Sequence, residues 1–205
     1  VLSAAFETAG ATDSQTLIPM VYGLILIVIF VVFRSLSVVV VSLTLILLST
    51  LFAMGIAGFL GIELTPISLS APTIILTIAV ADAIHVFAGV RSAMGEGMAR
   101  RDALVDAVSL NFAPVGITSL TTVIGFLPLN FSDSPPFHHL GNISAAGIFA
   151  AWILSLVFLP ALASFLPVRF KAAEIAKRGV MARIAEGVIS RAALIFGASA
   201  VGATV

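Results

Sequence analysis

The chain has 205 residues, of which 60% are hydrophobic and only 10% charged, whereas an ordinary soluble domain is about a quarter charged. Ten basic and ten acidic residues leave no net charge, so nothing suggests a nucleic-acid partner. The absence of cysteine excludes disulfides and thiolate metal sites, and a soluble fold of this length cannot hide so much apolar surface in one core. Lipid must serve as part of the solvent.

A membrane-crossing helix needs about 20 mostly apolar residues. The first stretch of that kind is 17–33, followed after Arg34-Ser35, a very short turn, by 36–60. The polar loop 61–66 leads to a third stretch that begins at Ile67, or more strictly at Pro72, and ends at Val90. A longer charged connection covers 91–110, and its part after Met98 can form a surface helix. The fourth stretch is 112–129. The connection 130–139 holds Ser134-Pro135-Pro136, a strong turn signal. The fifth stretch is 140–166. Residues 168–190 mix basic residues with Ile175, Val180, Met181 and Ile184, which reads as an amphipathic helix on a membrane surface, with a solvated charged linker as the alternative. A sixth stretch begins near Val188 and is cut off at Val205. The runs are continuous instead of alternating, which argues against strands. The expected fold is an all-α membrane protein: five complete transmembrane helices, the start of a sixth, and a cytoplasmic connecting helix over 168–187. A start at Val1 and a stop inside an apolar run lead us to expect a segment of a longer polypeptide.

Basic residues fall only in alternate connections: Arg34; then Arg91, Arg100 and Arg101; then Arg169, Lys171, Lys177, Arg178, Arg183 and Arg191. By the positive-inside rule that side is cytoplasmic. The other connections hold Glu7, Asp13, Glu63 and Asp133.

Asp82 is the sharpest chemical feature. It lies about ten residues from either end of its stretch, and at about 1.5 Å per residue that is near mid-membrane. A carboxylate there costs roughly 2.5–3.5 kcal/mol on insertion scales. It is read as a proton or cation carrier, the alternative being a structural carboxyl hydrogen-bonded to a neighbouring helix. His85, three residues on, is placed on the same face, where it either extends a proton path or holds Asp82. Thr118, Ser119, Thr121 and Thr122 in the fourth stretch allow close helix contact; either they pack or one of them relays protons with Asp82. Gly55, Gly58 and Gly61 read as packing residues, Pro128 and Pro160 as span-end residues, and His138 and His139 as loop residues. No set of ligands for a metal is apparent, and neither a phosphate-binding loop nor an HExxH motif occurs, so ATPase and metalloprotease chemistry are not expected.

The run Ile78-Ala79-Val80-Ala81-Asp82-Ala83-Ile84-His85 resembles the fourth helix of the resistance–nodulation–division superfamily, in its branch of MmpL-like exporters related to Patched. Residues 117–127 resemble the fifth helix, 131–137 with Leu140-Gly141 the loop that follows it, and Leu159-Pro160-Ala161-Leu162 the end of the sixth. Many members carry Asp-Tyr where Asp82-Ala83 stands here. The resemblance implies a division into 1–13 as the end of a periplasmic region, 14–167 as helices two to six, 168–187 as the connecting helix and 188–205 as the next span. It implies an inner-membrane exporter of hydrophobic or amphiphilic molecules, lipids among them, that works with no cofactor beyond the proton gradient. Asp82 would carry the proton. Its partners would be membrane lipids, a hydrophobic substrate, the second half of the same transporter and, in some assemblies, further copies of itself; it would not be an enzyme. The same helix block serves as a sterol-sensing domain in eukaryotic relatives, so lipid sensing without transport is the alternative.

Overall fold

The computed structural model describes residues 2–168 together with 170, 190 and 191. Apart from residues 168, 170, 190 and 191, the expected connecting helix and sixth span lie outside the described residues. The described helices all fall within one unit, Val1–Phe170. They are α1 (Leu2–Phe33), α2 (Leu36–Phe59), α3 (Ala71–Gly95), α4 (Arg100–Phe126), α5 (Pro135–Leu156) and α6 (Phe158–Phe165), and no strand occurs among the described residues. Four stretches are long and apolar enough to cross a membrane: Leu36–Phe59, Ser68–Gly95, Arg100–Phe131 and Pro135–Leu156; the apolar part of α1, Ile18–Phe33, is shorter.

Helix boundaries follow local chemistry more closely than hydropathy. The helix α1 begins at Leu2, well before its apolar part, and ends at Phe33, followed by Arg34, whose φ of 47° lies in the left-handed region. Both α2 and α3 stop before a glycine in the left-handed region, which glycine enters at no steric cost. After α2, Gly61 has φ 66°; its N–H bonds the Gly58 carbonyl at 3.2 Å, and the Ile62 N–H bonds that of Ala57 at 2.9 Å. After α3, Gly97 has φ 94° and Met98 N–H reaches the Ala93 carbonyl at 3.1 Å. Each is a Schellman ending, which satisfies the last carbonyls of the helix. Gly61 is therefore a stop signal, not a packing residue.

Three connections refine or differ from the sequence expectation. Within the charged stretch 91–110 the part after Met98 is helical, as the sequence allowed; α3 runs on to Gly95, α4 starts at Arg100, and the charged turns of α4 continue into its apolar part without a break instead of forming a separate helix. His138 and His139 lie in the first turns of α5, which the Pro135-Pro136 pair opens, and a His138 ring nitrogen sits against the Ser132 carbonyl. The stretch 140–166 is two helices. Proline cannot supply the N–H that the carbonyl four residues back requires, and its ring crowds that carbonyl. For Pro160 that residue is Leu156, where α5 ends; Val157 turns off axis and α6 begins.

Large apolar side chains of the bundle lie both in the core, among them Phe33, Leu45, Leu76 and Phe87, and on the outer surface. Leu36, Leu51, Ile117, Phe131 and Val157 are exposed. Its interior holds many alanines, among them Ala53, Ala79, Ala83, Ala107 and Ala151, together with Ser42, Ser49, Ser119, Ser144 and Asp82. Small residues let helix backbones approach, which is how helices associate when lipid offers no hydrophobic penalty. The glycines that serve this purpose are not Gly55 and Gly58, which face open space, but Gly89, Gly141 and Gly147. A Cβ on Gly141 would meet the Phe126 carbonyl at 2.8 Å, and one on Gly147 would collide with Ile75 of α3 and lie 3.0 Å from Ala53 of α2.

At the arginine-bearing end, charge closes the helix ends. Arg100 donates from Nη1 to the Leu166 carbonyl and from Nη2 to that of Ser164, both at 2.9 Å, so it caps α6. Arg91 donates to the Val32 carbonyl at 3.1 Å and stacks over the Phe33 ring at 5.4 Å, capping α1. Cations at helix C-termini also complement the macrodipole. At the opposite end Asn130 and Asn142 exchange side-chain amide bonds at 3.0 and 2.9 Å, tying the turn after α4 to α5.

The glycine contacts yield a paired test. Gly147→Val should destabilise the bundle by about 1–3 kcal/mol, the usual cost of overpacking. Gly125→Val, which enters open space, should stay within about 0.5 kcal/mol. Thermal unfolding in detergent reads both, and equal shifts would refute the assignment of Gly147 as the close-approach point.

Candidate functional site

The buried face of α3 follows helical spacing through Ile75, Leu76, Ala79, Val80, Asp82, Ala83, Val86, Phe87 and Val90. Asp82 occupies the middle of that face and is 2% exposed. Ala79 and Ala83 flank it on that face, with Val80. Further along, a Cβ on Gly89 would lie 3.1 Å from both Ala107 Cβ and Asn111 Nδ2 of α4. The two helices run antiparallel, joined by the short turn around Gly97, and this pairing sets Ser119 of α4 opposite Asp82.

Ser119 is itself 1% exposed, and its hydroxyl lies 3.5 Å from Asp82 Oδ2. That distance is at the outer limit of a hydrogen bond, so the contact is weak. A serine hydroxyl donates to an ionised carboxylate and accepts from a protonated one, so Ser119 suits either state of Asp82. No ion pair reaches Asp82 among the described residues, and no group of three or more His, Asp or Glu there could hold a metal ion.

The structure separates the other sequence candidates from this pair. His85 is exposed. Three residues of α-helix turn it about 60° from the Asp82 direction at 3.6 residues per turn, enough to carry it off the buried face. It belongs to an outer stripe of α3 formed by Thr77, Ala81, His85, Ala88 and Ser92, all exposed. Thr118 bonds the carbonyls of Pro114 at 3.1 Å and Val115 at 3.0 Å; Thr121 bonds those of Ile117 and Thr118. Thr122 bonds the Thr118 carbonyl at 2.6 Å. These three hydroxyls are engaged with their own helix, and only Ser119 of the four points to Asp82.

Sequence reading passed over several bundle-facing hydroxyls. Ser42 and Ser144 are buried, and their Oγ atoms find no hydrogen-bond partner among the described residues. Sequence alone gives no signal that separates them, because Thr77, Thr118 and Thr121 in equally apolar runs are exposed.

The chain resembles the protein named "Putative membrane protein MJ1562" of Methanocaldococcus jannaschii, with 30% identity over 138 residues. That alignment covers 67% of this chain and 36% of the relative, so the chain spans about a third of the length of the curated relative it matches. The MMPL family profile matches residues 1–195, a range that contains every described helix. A match of that extent, on a bundle of apolar helices, makes this chain a member of the MMPL family of membrane proteins.

Proposed function

We propose that the chain is the membrane bundle of one half of a proton-driven transporter that exports hydrophobic or amphiphilic molecules, lipids among them. In this reading the α1–α5 helices span the inner membrane, the end that carries Arg34, Arg91, Arg100 and Arg101 is cytoplasmic, and Asp82 carries the proton. The observation that carries the reading is the placement of Asp82: fully enclosed, mid-helix, with the Ser119 hydroxyl as its hydrogen-bond partner. Membrane-embedded carboxylates are expensive and mark proton pathways. Proton uptake changes Asp82 from an acceptor-only group to a donor, which reverses its bond with Ser119 and alters how α3 and α4 hold each other. That rearrangement is the coupling step we assign to the site.

The outer stripe of α3 supports a second half as partner. Exposed positions on α2 and the apolar part of α1 are mainly Leu, Ile, Val and Phe, whereas Thr77, Ala81, His85, Ala88 and Ser92 on α3 are small or polar, the composition of a helix–helix contact in membranes. In addition, only 11% of the apolar window of α4 is buried, against 50% for α3 and α5. His85 then acts, if it acts in proton transfer, toward the partner half and not within this bundle.

Two substitutions test the reading in the full polypeptide reconstituted into vesicles. Asp82→Asn should abolish gradient-driven export while expression and insertion stay at wild-type levels; undiminished export by that variant would sink the proposal, and saturable lipid binding without any coupled flux in the wild type would favour a sensing role instead. Ser119→Ala removes one weak hydrogen bond, of about 0.5–1.5 kcal/mol, so export should fall by roughly two- to tenfold and not vanish. Complete loss in Ser119→Ala would instead make the hydroxyl an obligatory relay.

A further inference from the structure

A groove of about 280 Å³ lies on the outside of the bundle, far along α4 from Ser119, where α4 passes the α5–α6 break. Its lining is Arg101, Leu104, Val105, Val108, Leu156 and Pro160. The α4 residues sit at helical spacing i, i+3, i+4 and i+7, one continuous stripe. Neither Asp102 nor Asp106 falls on that stripe. The opposite wall exists because Pro160 ends α5 at Leu156 and turns the chain away, leaving a hollow beside α4.

The groove is polar at one end only. Arg101 stands in the first turn of α4, at the arginine-bearing end of the bundle, and is exposed. Arg100 beside it is committed to the Ser164 and Leu166 carbonyls, but Arg101 has no hydrogen bond or ion pair among the described residues. Leu104, Val105 and Val108 follow one to two turns deeper. A cation at the end of an apolar hollow matches the polarity of an anionic amphiphile. The space is too small for a protein helix, since one helical turn is roughly 10 Å across and about 5.4 Å tall.

We propose that this groove binds one anionic phospholipid of the surrounding bilayer, with its phosphate on Arg101 and a hydrocarbon chain against Leu104, Val108 and Leu156. The site is separate from Asp82 and its occupancy does not depend on transport, so it can be tested with no proton gradient. The full polypeptide is placed in nanodiscs of equal phosphatidylglycerol and phosphatidylethanolamine, and retained lipid is counted by native mass spectrometry. Wild type should retain phosphatidylglycerol preferentially. Arg101→Gln should lower that preference roughly fivefold, the effect of one basic residue near an anionic surface. Val108→Trp, which fills the hollow, should remove the bound lipid with the charge still in place, and thermal unfolding checks that the variant is folded; should it not fold, Arg101→Gln alone decides. Equal retention of the two lipids by wild type, or unchanged retention in Arg101→Gln, would overturn the proposal. So would a photo-crosslinker at Val105 that captures another segment of the same polypeptide in place of lipid.

Discussion

Helix backbones can approach only as closely as their side chains permit, and this bundle depends on that limit. In water, association of helices is driven by burying Leu and Ile; in lipid those side chains gain nothing by moving inward. Here many of them lie on the outside, and the interior mixes large side chains such as Phe87, Leu45 and Ile148 with alanine, serine and a few glycines that set how closely the helices approach. Close approach at Gly147, where α2, α3 and α5 converge on Ala53 and Ile75, and at Gly89, where α3 meets α4, brings the helices near enough for van der Waals contact to hold them. The same closeness is what encloses Asp82. A bulkier α3–α4 seam would leave room beside the carboxylate and pull Ser119 out of reach.

The helical, membrane-spanning character was legible because continuous apolar runs leave no other way to satisfy the backbone in lipid. Where helices end was less legible, because hydropathy reports the solvent and not the hydrogen bonds. The charged turns of α4 read as a separate surface helix by composition, yet Arg100 and Arg101 are good helix formers and nothing between Arg100 and the apolar stretch interrupts the helix. Conversely, the run 140–166 is uniformly apolar, and only the missing N–H of Pro160 reveals that it holds two helices. Gly61 and Gly97 carried a clear stop signal, since each stands just past the last helical residue, but apolar context made Gly61 resemble a packing glycine.

At the candidate site the sequence identified the acid and the helix that faces it, but not the geometry between them. Spacing alone placed His85 with Asp82; a rotation of about 60° is small on a helical wheel and large at a boundary where the next helix ends its contact. Spacing also could not choose among four adjacent hydroxyls. Tertiary packing made the choice: Thr118, Thr121 and Thr122 face outward or bond their own carbonyls, and Ser119 faces α3. The clamps made by Arg91 and Arg100 escaped sequence reading for a related reason, because a basic residue in a connection reads first as topology and only the fold shows which carbonyls it reaches.

One mechanical relation connects the two ends of the bundle. Ser119 and Arg100 stand on the same helix, roughly 28 Å apart along its axis at about 1.5 Å per residue. One touches the carboxylate on α3, and the other grips the final carbonyls of α6. The helix between them is continuous, with Pro114 as its single place of weakened backbone bonding. A displacement of α4 by even a fraction of an ångström at Ser119 would therefore be felt as tension on α6, making α4 a connecting rod with its flexure point at Pro114.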